Sequence, residues 1–349
     1  MTQEQVGATQ IAPPEGPLVE LKDLRIYFYS RSGLFRTTTV KAVDGVSLAL
    51  RRGETVAVVG ESGSGKTTLG RASLRLMEPA GGSVLFGGED ITHIPEEKLK
   101  KFRRKAQVIF QDPFSSINPY MSVSELVGEP LQIHHLGGRE ERGDRVAQAL
   151  EEVRLTPVGE FLKRYPHMLS GGQRQRVAMA RALVLAPEYI VADEPTSMID
   201  ASSRAELLYL LRDLQKQRGI TYLYITHDIA SARHFADRIA VMYLGTVVEI
   251  GAAERIIEHP LHPYTRALIE AVPEPDPSNR FRERAVVPGE PPSAAQAPPG
   301  CPFHPRCPSF IKGTCEVARP PLVEVEPGVQ VACFLYPGGE KRGNAGLDH

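Results

Sequence analysis

Three groups of residues in this chain have the types and spacing to act on a phosphate. The run Gly60-Glu61-Ser62-Gly63-Ser64-Gly65-Lys66-Thr67-Thr68 directly follows Thr55-Val56-Ala57-Val58-Val59. Its glycines let the backbone curl until N–H groups face phosphate oxygens, and a helix beginning within the run adds the partial positive charge of its first turn. Lys66 then reaches the β- and γ-phosphates, and the Thr67 hydroxyl holds Mg2+. A second apolar run, Tyr189-Ile190-Val191-Ala192, ends in Asp193-Glu194 and places two carboxylates at the end of a buried strand. Asp193 organises Mg2+ through its water shell. Glu194 polarises the attacking water, which requires a carboxylate within hydrogen-bond reach of that water and of no other strong partner. A third run, Thr221–Thr226, delivers His227 to the same edge, where it contacts the γ-phosphate. Taken singly, these features also read as a Gly/Ser-rich turn, a surface helix cap and a structural histidine.

The elements that must position these residues are legible around them. The three runs are rich in β-branched residues, as expected of strands in a parallel sheet covered on both faces, and the class is α/β. A second glycine run, Leu169-Ser170-Gly171-Gly172-Gln173, precedes a helix predicted to begin near Gln173. Unpaired N–H groups at its start make an anion site with no anion of its own in the chain. Val177, Ala180 and Val184 recur at i, i+3 and i+7 and give that helix an apolar seam. Further helices are predicted over residues 123–136 and 144–153.

At 349 residues the chain exceeds one ordinary domain and has ample length for a buried core. Its net charge of −1 implies no bulk attraction to nucleic acid. In Lys98-Leu99-Lys100-Lys101-Phe102-Arg103-Arg104-Lys105, Leu99, Phe102 and the following Ala106 fall at helical spacing. The cluster reads as the solvated face of an amphipathic helix, or else as a contact for anionic lipid or a membrane partner. No apolar run approaches the roughly 18 residues of a membrane span, so other chains must supply any transmembrane path. Residues 1–17 lack the regions of a secretory signal and read as a flexible tail.

The carboxy-terminal part has a different character. Eight prolines between Pro273 and Pro299 predict a stiff, irregular linker. All four cysteines follow it: Cys301, Cys307, Cys315 and Cys333. Disulfides are disfavoured in a reducing cytosol, and the spacing lacks the Cys-x-x-Cys knuckle of structural zinc sites. A hairpin turning at Pro327-Gly328 brings Cys333 back toward the other three. Four thiolates without a knuckle suit an iron–sulfur cluster at least as well as Zn2+, with unliganded thiols as the third reading. A cluster far from the nucleotide cannot help phosphoryl transfer, so its expected role is to staple an extension with little apolar core.

On these residues the chain resembles the ATP-binding subunit of an ABC transporter over residues 18–337. The resemblance implies an ABC-type P-loop NTPase cassette over residues 18–257, with a RecA-like core, an antiparallel β subdomain and a helical subdomain at 112–168. An extension then occupies 258–337 and a second tail 338–349. It further implies ATP and Mg2+ as ligands. Gln111, in Ile109-Phe110-Gln111-Asp112-Pro113, matches the glutamine that meets both the metal site and the membrane partner. Residues 169–173 match the family signature, so Ser170, Gly171, Gly172 and Gln173 take the ATP held by a facing subunit and two cassettes sandwich two nucleotides head to tail. Glu194 matches the catalytic glutamate, Asp200 the D-loop aspartate and His227 the switch histidine. Phe28 falls where the family places a ring under the adenine, with Tyr27 and Tyr29 beside it. Ser197-Met198-Ile199-Asp200 departs from the commoner Ser-Ala-Leu-Asp.

From about residue 258 the resemblance narrows to the branch that imports oligopeptides or dipeptides, and in some members nickel or oligosaccharides. His259-Pro260-Leu261-His262-Pro263-Tyr264-Thr265 carries it, together with residues 111–119; a plain turn is the alternative for the His/Pro/Tyr run. Lys66-Thr67-Thr68-Leu69-Gly70-Arg71 is similar to the second of two ATPase subunits. The implied partners are a homologous ATPase subunit, two transmembrane permease subunits and, indirectly, an extracytoplasmic solute-binding protein, with no nucleic acid. The implied location is peripheral, at the cytoplasmic face of the cell membrane. Members with a similar Cys-Pro-Phe-x-x-x-Cys start bind a 4Fe-4S cluster, which here implies Cys301, Cys307, Cys315 and Cys333 as its ligands. The rival from another class is a soluble ABC ATPase that remodels a macromolecule. Relatives of that kind carry long coiled coils, zinc modules or two cassettes, and this chain has a single phosphate loop.

Overall fold

The computed structural model of the chain describes residues 16–32, 36–112, 117–197, 199–272, 289–290 and 292–339. The chain begins with β1 (Val19–Ser32), β2 (Arg36–Leu50), β3 (Thr55–Val59), α1 (Lys66–Ser73), β4 (Gly81–Phe86), β5 (Glu89–Asp90), α2 (Lys100–Lys105) and β6 (Ala106–Ile109). A helical stretch follows, with α3 (Val123–Ile133), α4 (Arg139–Glu152), α5 (Val158–Leu162) and α6 (Gly171–Leu183). The remainder holds β7 (Tyr189–Asp193), α7 (Ala201–Arg218), β8 (Thr221–Thr226), α8 (Ile229–Phe235), β9 (Arg238–Tyr243), β10 (Thr246–Ala252), α9 (Ala253–Glu258), α10 (Pro263–Glu270), β11 (Val323–Glu326) and β12 (Val329–Val331).

The strands form two sheets. An antiparallel sheet has the order β2-β1-β4-β5, and the larger sheet has the order β11-β12-β10-β9-β3-β8-β7-β6. The pairs from β9 through β6 are parallel, whereas β10, β12 and β11 add on antiparallel. Alternation along the parallel strands sorts side chains to two faces. Val56, Val58, Val191, Leu223, Ile225 and Met242 join one core with Leu21, Leu24 and Val43 of the small sheet and Leu69 of α1. Ala57, Val59, Ile190, Tyr222, Tyr224 and Val241 join the other, with Leu126 of α3, Val146 of α4, Val177 and Ala180 of α6 and Leu207 of α7.

Several helix starts have local causes. Ser122 and Glu125 form a reciprocal capping box on α3. Helix α4 starts at Arg139, ahead of the expected residue 144, with Gly138 extended at its N-cap and Glu140 and Glu141 in the first turn, where they complement the helix dipole. In the basic cluster, Leu99, Phe102 and Ala106 are all buried, and Phe102 meets Phe86 edge to face at 5.0 Å. The charges of that cluster are therefore the outer side of a core-facing helix.

The carboxy-terminal hairpin turns where expected, but β12 pairs with β10, Glu249 opposite Val331, so the extension continues the main sheet. Its core is also more apolar than expected. Phe303 is fully buried against Tyr243 and Tyr264, at 5.3 Å from each, and belongs to the larger hydrophobic cluster. The predicted linker lies largely outside the described residues, as do most of residues 1–17 and 338–349. No helix among the described residues is long and apolar enough to cross a membrane.

Candidate functional site

The phosphate loop joins β3 to α1, and two of its glycines have no substitute. Gly65 has φ +100° at the N-cap of α1, and a Cβ there would lie 2.0 Å from the Ala42 carbonyl oxygen. Gly60 has φ +154°, and its Cβ would meet the Met242 carbonyl oxygen at 2.2 Å. Both sites need the left-handed backbone and the close approach that only glycine permits.

Lys66 is buried, and its Nζ donates to the carbonyls of Gly60 and Glu61, each at 2.8 Å. Burial pushes its pKa down, while Glu194, Asp193 and Glu61 pull the other way. Thr67 Oγ1 donates to Asp193 Oδ1 at 3.0 Å. Burial raises the Asp193 pKa, and the Thr67 bond opposes it. A hydroxyl and a carboxylate thus meet where the end of β7 faces the start of α1.

Glu194 follows β7 with φ +44°, a left-handed value costly for a non-glycine residue, and its N–H donates to the Ile225 carbonyl at 2.9 Å. Gln111 Nε2 donates to Glu194 Oε2 at 2.9 Å, and His227 Nδ1 lies 3.2 Å from Glu194 Oε1. This corrects the expectation that Glu194 has no other strong partner: both carboxylate oxygens are engaged, because β6, β7 and β8 are neighbours and end at the same edge. Any further donor to this carboxylate must share or displace these contacts. His227 itself is 62% exposed.

The signature residues are held differently. Ser170 caps α6, its Oγ accepting from Gln173 N at 3.3 Å while Gln173 Oε1 accepts from Ser170 N at 3.1 Å. The helix therefore begins at Gly171 rather than near Gln173. These bonds close on one another. On its other side, a Cβ at Gly172 would lie 3.8 Å from Ser203 in the first turn of α7. Asp200 caps α7, accepting from Ser203 N at 2.9 Å. Met198 and residues 113–116 of the two neighbouring motifs lie outside the described residues. Phe28 is 43% exposed on β1, as is Tyr29 at 67%. Tyr27 donates to Asp44 Oδ1 at 2.6 Å.

Two residues that spacing did not reveal touch the phosphate loop. Tyr264 Oη accepts from Glu61 N at 2.8 Å. Arg306 donates from Nη1 and Nη2 to the Glu61 carboxylate at 2.9 and 3.2 Å across a sequence separation of 245. The cysteine region is thus not far from the nucleotide loop, contrary to expectation. The His/Pro/Tyr run is no plain turn either: Glu249 accepts from the N–H groups of Leu261 and His262 at 2.7 and 2.9 Å, and His262 Nδ1 caps α10 by accepting from Tyr264 N at 3.0 Å.

All four cysteines are free, with Cys301 and Cys315 buried and Cys307 and Cys333 partly so. Burial raises the thiols of Cys301, Cys307 (to about 11) and Cys333 (to about 12), and neighbouring cysteines add to each rise. The donor set is of the right kind for a cluster or zinc. Among the described residues, however, no group of three or more His, Cys, Asp or Glu is arranged to hold a metal ion.

Known proteins fit this architecture. Residues 43–197 match the ABC transporter family, and residues 248–315 match the oligopeptide/dipeptide transporter C-terminal region. The oligopeptide transport ATP-binding protein AppF of Bacillus subtilis (strain 168) is 46% identical over 323 residues, 91% of this chain and 97% of AppF. YkfD of the same strain is 47% identical over 328 residues, 93% of this chain and 98% of its own length. Among solved structures, the dimeric bacterial ABC transporter cassette MJ0796 aligns with a TM-score of 0.61 at 32% identity, over 67% of this chain and 98% of that one. The cbiO1 subunit of Clostridium perfringens aligns with the same TM-score at 28% identity, over 70% of this chain and 92% of that one. The nucleotide-type loop, the sheet that carries it and a carboxy-terminal region of the oligopeptide/dipeptide type lead to one assignment: the chain belongs to the ABC transporter family of ATP-binding cassette ATPases.

Proposed function

We propose that this ATPase powers import of oligopeptides or dipeptides through a membrane transporter, paired head to tail with a homologous ATPase subunit. The observation that carries the chemistry is the convergence of Gln111, Glu194 and His227 beside Lys66, Thr67 and Asp193. In this reading residues 18–257 form the cassette, 112–168 its helical subdomain and 258–337 the extension. Gly60 to Thr68 hold the phosphates of one ATP, Phe28 stacks under its adenine, and Ser170 to Gln173 with Asp200 complete the site of the facing subunit. Thr67, Gln111 and Asp193 would hold Mg2+, which neutralises charge on the phosphate oxygens. Glu194 orients and polarises water, and His227 holds the γ-phosphate side of the site. Two permease subunits and a solute-binding protein complete the transporter, with this chain at the cytoplasmic face of the membrane.

The Glu194→Gln variant is expected to keep ATP binding, lose turnover by about a hundredfold or more and accumulate as an ATP-bound dimer. Unchanged hydrolysis would reject the role given to Glu194. Co-purification with two polytopic membrane proteins supports transport, whereas recovery with DNA or ribosomes supports the macromolecule-remodelling rival. Uptake assays with peptides, oligosaccharides and nickel separate the substrate classes. The proposal also includes a 4Fe-4S cluster on the four cysteines, supported by their gathering in one region. Anaerobically purified protein is then brown and holds about four irons per chain; colourless, iron-free protein removes the cluster.

A further inference from the structure

The phosphate loop is held from outside the cassette by two side chains of the carboxy-terminal region, which meet on one residue, Glu61. Tyr264 Oη, on α10, takes the Glu61 backbone N–H, while Arg306, in the cysteine region, donates twice to the Glu61 carboxylate. Arg306 is only 7% exposed, and its Nη1 also lies 3.5 Å from Tyr243 Oη. The Glu61 carbonyl in turn accepts from Lys66 Nζ. A continuous path therefore runs from Arg306 and Tyr264 through the Glu61 peptide to the ammonium that meets phosphate. A second tie parallels it, because Arg319 of the extension donates to Asp44 Oδ2 at 2.9 Å, and Asp44 also holds Tyr27 on β1.

We propose that Arg306 and Tyr264 are positioning residues of the ATP site: by fixing Glu61 they set the phosphate loop and Lys66 in the geometry that binds nucleotide. A loop of alternating glycines is conformationally permissive. Anchoring its second residue by a two-pronged, largely buried ion pair removes competing loop conformations before ATP arrives, and so lowers the ordering cost of binding. The effect falls on nucleotide affinity, because neither side chain reaches the groups that act on water. The proposal rests on the reading of residues 60–67 as the phosphate site.

The test uses the full-length chain, measuring MgATP binding with a fluorescent ATP analogue, steady-state hydrolysis and melting temperature. Arg306→Met is expected to raise Kd and KM about tenfold with kcat within about twofold, and Arg306→Lys to recover part of that loss. Tyr264→Phe removes only the acceptor oxygen and keeps the ring packed on Tyr243 and Phe303, so it remains informative should Arg306→Met fold poorly; its expected rise is about threefold. Combining Arg306→Met with Glu61→Gln should cost no more than the larger single effect. Unchanged Kd in both Arg306→Lys and Tyr264→Phe, or fully multiplicative effects in the double variant, overturns the proposal. Lys66→Ala separates the two readings. If it leaves nucleotide affinity intact, the phosphate-site reading fails; if it abolishes binding while the Arg306 and Tyr264 variants are inert, only the positioning role fails.

Discussion

At the scale of single residues, the site depends on backbone that few side chains tolerate. Gly65 combines φ +100° with a Cβ position 2.0 Å from the Ala42 oxygen, so Gly65→Ala faces both strain and a clash with main chain that cannot rotate away. We expect it to lower stability by about 1–3 kcal/mol in denaturant titrations and to abolish nucleotide binding, since β2 must shift to admit the methyl group. Wild-type binding in Gly65→Ala would show that the loop is softer than its packing implies. The glycines were legible in the sequence because their spacing is local. The pairing of Glu194 with Gln111 and His227 was not, since these residues come from three separate strand ends and their proximity is a product of strand order.

At the scale of elements, the start of α6 is a helix cap, and the proposed function adds a second purpose that a substitution can separate from it. Ser170 and Gln173 close a capping box, and loss of such a cap costs about 1 kcal/mol. Ser170→Ala should therefore lower the unfolding free energy by about that amount. Ser170→Asp restores a cap of similar quality but adds a negative charge where the proposed partner presents phosphate. It should keep near wild-type stability while losing dimer-dependent hydrolysis. Equal activity of Ser170→Asp and wild type would argue that the signature is only a helix start. The helix was legible from its apolar seam, whereas its first residue was set by the reciprocal cap of Ser170 and Gln173, which a seam alone does not reveal.

At the scale of the whole molecule, the carboxy-terminal region is bound to the cassette through buried polar groups that respond to acid. His262 is fully buried at the cap of α10, and burial, with the positive charge of Arg266, pushes its pKa down to about 3. In the unfolded chain the ring titrates near 6.5, so the folded state binds one proton fewer between about pH 3 and 6.5. Stability from this group is whole above that window and falls as pH drops through it, by at most about 1.4 kcal/mol per unit. Glu249, whose pKa burial raises, bonds the His262 backbone and acts with the opposite sign, losing stability as pH rises past 4.5. The clean measurement is therefore a difference: unfolding free energies of wild type and His262→Asn, compared from about pH 4 to 7. The wild type should lose stability to acid more steeply, and parallel curves would show that the ring is not held neutral. This anchoring carried no sequence signal beyond the His-Pro-Tyr run, because Glu249 lies in a strand whose pattern is otherwise apolar.

The sequence alone determined what depends on neighbours along the chain. A β-branched strand, a glycine loop and a helix start form one local unit whose residue types within a few positions point to phosphate chemistry, and the carboxylates of Asp193-Glu194 are local in the same way. Only the tertiary structure decided that Gln111 bonds Glu194 with His227 3.2 Å from the other carboxylate oxygen, and that Arg306 reaches Glu61 across 245 residues. The physical reason is that helix and strand periods repeat over a handful of residues, whereas a contact between distant segments depends on how whole sheets order their strands and bury their faces.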